Sequence, residues 1–196
     1  YSLIFQVLVF LAFFLAFAIP TFFVGSVVSS ISSVLVPVIT ECRIQRPQVL
    51  GRLLGSAVVY VGVSCLLLVV LIGLFAPVVL RLSSGQSAPS ELQGLAQEQL
   101  LLMLPVIVVQ TLTGVLAAAY NAAGKFWFPP VTDAIGTLAT LILIVTLRPV
   151  AGIASLSIGF VAGAVLHLIG LALPWRQLSI KLEFNWYIEP ALAKSL

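Results

Sequence analysis

Long apolar runs, each separated from the next by only a brief polar break, set the strongest limit on how this chain folds. A spanning helix needs about 20 predominantly apolar residues. Runs of that order occupy 1–19, 22–39, 50–80, 100–119, 128–147 and 151–173. Only 8% of the residues are charged and 61% are hydrophobic, whereas an ordinary soluble domain carries about 25% charged residues. Such a chain cannot cover a water-facing surface and must use lipid as a solvent. The expected fold class is all-α: a polytopic membrane helix bundle of six transmembrane helices. Its net charge of +3 comes from few, scattered groups, so there is no basic patch for nucleic acid.

The breaks define the segments. Pro20 separates the first two runs, and the second ends in "TECRIQRP". The third run is long for one straight span, which places its first turns, "QVLGRLLGS", at the interface. The longest polar loop is "RLSSGQSAPSELQGLAQEQ"; from Ser90 onward it reads as a short interfacial helix with Ser90 as N-cap. After "PWRQ" the remainder of 174–196 alternates polar and apolar residues. It reads as a cytoplasmic interfacial segment leading into another helix near Pro190. The first residue is Tyr1, with no basic stretch before the first run and no small-residue cleavage site after it. A signal peptide is therefore not expected, and the chain reads as a fragment of a longer protein.

The shortest break is "NAAGKFWFPP", 121–130. Asn121 and Gly124 tolerate the left-handed backbone that ends a helix. Lys125 and Trp127 suit the headgroup level. Pro129 and Pro130 suit a first helical turn, where no amide partner is needed. This stretch is a tight hairpin between spans. Basic residues then set the orientation. If six spans alternate, Arg43, Arg46, Arg52, Lys125, Arg176, Lys181 and Lys194 fall on one side, and Arg81 and Arg148 on the other. The excess marks the cytoplasmic side and places the start of the chain there too.

Few polar groups lie within the runs: Gln6, Gln110, Asp133 and His167, with a serine-rich stretch at Ser26, Ser29, Ser30, Ser32 and Ser33. An ionisable residue in a span costs about 3 kcal/mol or more, so each is a functional candidate. Asp133 lies about 6 Å inside its span at roughly 1.5 Å per residue. Ser26, Ser29 and Ser33 share a helical face, which serves close helix packing or a wet cavity. There is no HExxH, no GxSxG and no acidic cluster, which argues against an intramembrane enzyme. Cys42 and Cys65 are too few for a disulfide framework or a metal site, and no cofactor is expected.

Three stretches resemble the MviN/MurJ family. "MLPVIVVQTLTGVLAAAYNAAGKFWFPPVTDAIGTLATLILI" is similar to a family helix running into "LNA-GKF--PA--P---N", with matches at Pro105, Gly114, Ala118, Asn121, Ala122, Gly124, Lys125, Phe126, Pro129 and Asp133. "FLAFAIPTFFVGSVVSSISSVLVPVITE" resembles the family's "AF-IPN" and "VPV--E", and "LFAPVVLRLSSG" its "FAP". The resemblance implies one lobe of a two-lobe exporter fold in the bacterial inner membrane. Its cargo would be a lipid-linked saccharide such as lipid II, moved by alternating access with a coupling cation or the membrane potential, and the second lobe would belong to the same protein. The implied substrate or ion cavity takes in Asp133, Gln110, Ser29 and Ser33. Asn121, Gly124, Lys125 and Pro129 are the motif's structural turn. Where the family's lipid II flippases usually carry arginine, this chain has Ala18 and Val24. Its serines near Ser29 stand in place of an acidic residue, and Asp133 in place of asparagine. A cation-coupled drug antiporter of the same superfamily and a non-transporting membrane subunit are the alternatives.

Overall fold

The computed structural model describes residues 3–84 and 90–178. Among them the elements are α1 (Leu3–Gln45), α2 (Leu50–Leu74), α3 (Ala76–Ser84), α4 (Ser90–Met103), α5 (Pro105–Ala122), α6 (Phe128–Ala151), α7 (Ala154–Ala172) and a 3-10 segment, Leu173–Leu178. All are helical, as the composition requires: in lipid, a helix satisfies its backbone internally. The polar loop tip at 85–89 and the tail from 179, with Lys181, Pro190 and Lys194, lie outside the described residues.

The expected break at Pro20 is absent. Residues 3–19 and 22–39 lie in one continuous helix, α1, which contains both Pro20 and Pro37. Among the described residues five stretches, not six, are long and apolar enough to cross a membrane: Phe10–Gln45, Leu50–Leu74, Leu92–Ala122, Phe128–Ala151 and Ala154–Trp175. The physical reason lies in the solvent. A proline costs a helix one hydrogen bond and a local clash, but unwinding it in hydrocarbon strands several polar groups. The Thr21 hydroxyl donates to the Phe17 carbonyl at 2.7 Å, supplying a donor beside the proline.

Two further boundaries differ. The run 50–80 divides at Phe75 into α2 and α3. In the first turn of α2, Leu53 and Leu54 are fully buried against Leu35, Ile39, Val115 and Ala118. The segment from Ser90, expected to lie at the interface, is α4, and it enters the bundle. Ala96, Leu100 and Met103 are fully buried, and α4 runs through Leu104 into Pro105 at the start of α5.

Helix α5 is the axis of the bundle, packed on α1, α2 and α7. Leu100, Leu104 and Ile107 meet Ala12 and Ala16 of α1 and Ala76 of α3 at one end. Val115 and Ala118 meet Leu35 and Ile39 near the other. So α1 and α5 run parallel. At their shared end the Arg43 guanidinium donates to the Ala122 carbonyl at 3.3 Å.

Candidate functional site

Small residues set the geometry. On α5, Gly114 receives Val28 of α1: a Cβ built there would lie 3.1 Å from a Val28 methyl. That contact turns the serines away from the helix pair. Ser29 and Ser33 are exposed, with hydroxyls donating to their own helix, at Gly25 O (2.6 Å) and Ser30 O (2.9 Å). Of the two roles open to the serine face, close packing falls to Val28 and Gly114, and the serines form an outward polar strip. Gln110 is half-buried, one turn before Gly114 on the same face of α5. Because α1 and α5 are parallel, it lies level with Val24.

The hairpin at 121–128 follows its chemistry closely. Only Gly124 takes the left-handed backbone, at φ 76°; Asn121 stays inside α5. The Lys125 amide donates back to the Tyr120 carbonyl at 3.0 Å, closing the helix end. Lys125 is half-buried and Trp127 exposed. Pro129 and Pro130 fall in the first turn of α6, as expected.

Helices α6 and α7 form the tightest seam. A Cβ on Gly136 would lie 2.8 Å from the Gly163 carbonyl and 3.1 Å from the His167 Cβ; one on Gly159 would lie 2.7 Å from Ile144. At one end of this seam the Asp133 carboxylate sits 3.2 Å from His167 Nδ1. The Asp133 side chain is 62% exposed and that of His167 only 10%. Asp133 thus joins His167, not the serines: α6 packs mainly on α7, whereas α1 packs mainly on α4 and α5.

Three features escaped the sequence reading. Ser157 and Gln99 form a buried hydrogen bond of 2.5 Å between α7 and α4. The Tyr120 hydroxyl donates to the Leu171 carbonyl at 2.9 Å, tying α5 to α7. The glycine seam was visible as Gly159 and Gly163 four apart, the small-xxx-small spacing of membrane helix pairs. Gln99 was hidden because the residues around it read as an interfacial helix; its spacing from buried Ala96 and Met103 is the signal that places it inside. Among the described residues no group of three or more His, Cys, Asp or Glu is placed to hold a metal ion.

A sequence model of the family described as lipid II flippase MurJ matches residues 2–196. A solved structure described as lipid II flippase MurJ in an inward closed conformation is similar, with TM-score 0.77 and 25% identity over 96% of this chain. No curated protein matches. The chain spans 40% of that solved chain. A family match over almost every residue, on a bundle of the same fold, means that this multi-pass membrane chain belongs to the MurJ lipid II flippase family.

Proposed function

We propose that this chain is the N-terminal lobe, residues 1–173, of a transporter that flips a lipid-linked saccharide across the bacterial inner membrane by alternating access. The family match over residues 2–196 carries the reading. The chain's 40% share of a solved relative supports a second lobe in the same protein. The exposed strip of Ser29 and Ser33, more than a helical turn along α1 from the level of Gln110, supports a cavity wall. Hydroxyls and an amide offer hydrogen bonds to sugar and phosphate oxygens, and a helix face meant for lipid has no use for them. With Ala18 and Val24 uncharged, this wall would hold cargo by hydrogen bonds rather than by paired cations.

Orientation belongs to the same proposal. With five spans, the loops bearing Arg43, Arg46, Arg52 and Lys125 and the segment bearing Arg176 share one side, and Arg81 and Arg148 the other. The excess assigns the first side to the cytoplasm. The beginning of α1 then lies on the periplasmic face, opposite to the six-span assignment. The test is a flipping assay on the full-length protein in proteoliposomes, with a panel of labelled undecaprenyl-linked sugars. Flipping of at least one member, impaired by bulky substitutions at Ser29 and Ser33, is expected. A folded protein that moves none of them overturns the proposal.

A further inference from the structure

The Asp133–His167 pair differs from the Ser157–Gln99 and Tyr120–Leu171 hydrogen bonds. It joins two helices, and both members titrate. His167 is buried, and neither of its ring nitrogens makes a hydrogen bond of good geometry. The Asp133 carboxylate lies 3.2 Å from its Nδ1, and the Pro129 backbone is a second polar neighbour of the ring. The seam allows no retreat: Gly136 and Gly163 bring the backbones so close that the imidazole is fixed against α6. An isolated charge at such a place is costly, whereas a pair holding one shared proton is net neutral.

We propose that Asp133 and His167 form a proton-binding site that clasps the start of α6 to the end of α7. With one proton bound, imidazolium faces carboxylate and the seam is held. When the proton leaves, a lone carboxylate faces a neutral ring, the attraction is lost, and α6 is freer to move against α7. Other ionisable groups on the packed elements are differently placed. Tyr120 of α5 donates its hydroxyl to the Leu171 carbonyl. Arg148 is at the far end of α6, and Glu91 and Glu98 belong to α4, toward the opposite end of the α4–α5 rod. Lys125 lies in the hairpin before α6, a cation at the same end that would ease deprotonation of the pair. The site stands whatever the cargo proves to be.

The experiment is thermal unfolding of the full-length protein in lipid nanodiscs, from about pH 5 to about pH 8, the interval in which histidine changes charge. Wild type is expected to show a melting point that depends on pH across this interval. Asp133→Asn, which keeps the side-chain volume at an exposed position, is expected to flatten the profile. Asp133→Glu is expected to restore the dependence, which a purely steric role would not require. His167→Gln, the second variant, is expected to flatten the same profile. Sodium added at fixed pH is expected to leave the melting point unchanged. A pH profile identical in wild type and Asp133→Asn overturns the proposal. So does a sodium-dependent stabilisation abolished by Asp133→Asn, which assigns the pair to a metal cation instead.

Discussion

Whether a glycine is a weakness or a requirement depends on what its missing Cβ would meet. Gly94 lies on α4 with nothing within 4 Å of that position, whereas Gly163 faces the Thr140 hydroxyl and the Gly136 carbonyl. The same substitution should therefore act with opposite sign. Gly94→Ala is expected to stabilise by up to about 1 kcal/mol, the helix-propensity difference. Gly163→Ala is expected to destabilise, because two backbones must part. Comparing thermal midpoints in one lipid decides this, and equal shifts of the same sign would contradict the seam. At Tyr120 the ring packs on Phe128 while the hydroxyl crosses to Leu171. Tyr120→Phe keeps the first contact and loses the second, so a cost of about 1 kcal/mol is expected in the same measurement.

A proline inside an apolar run does not by itself end a helix in this chain, whereas a left-handed glycine does. α1 passes through Pro20 and Pro37, yet α5 stops at a glycine with φ 76° and α6 at Gly152 with φ 55°. A left-handed residue with a Cβ costs about 1–2 kcal/mol. Gly124→Ala should thus lower stability by about that amount, although nothing lies within 4 Å of the added methyl. Unchanged melting would show that the hairpin relaxes without strain. The hairpin was legible because "NAAGKFWFPP" carries its turn chemistry locally. The continuity of α1 was not, because the rule that proline ends a helix is learned in water, where freed carbonyls are solvated.

At the scale of the whole bundle, the number of spans before Arg43 decides which side of the membrane the first turns of α1 occupy. The count of basic residues could not reveal this, because no Lys or Arg precedes Arg43. Six spans and five give the same asymmetry for every cation and differ only at the beginning. With Cys42 and Cys65 replaced by alanine, single cysteines at 46 and 125 are expected to react only from the cytoplasmic side. Cysteines at 148 and at 10 are expected to react only from the periplasmic side. Reaction at 10 and 46 from the same side would restore the break at Pro20.

By itself the sequence determined the solvent, the helical class and the hairpin at 121–130. Each of these is written in composition or in a few neighbouring residues, so local chemistry suffices. The tertiary structure decided which faces are inside. It turned Ser29 and Ser33 outward by seating Val28 on Gly114, and it drew α4 into the core through Ala96, Gln99 and Met103. It also separated Asp133 from the serines and gave it to His167, thirty-four residues away along the chain. In a chain where nearly every face is apolar, hydropathy does not tell a lipid-facing side from a packed one. Close approach between particular small residues does, and that depends on which helices become neighbours.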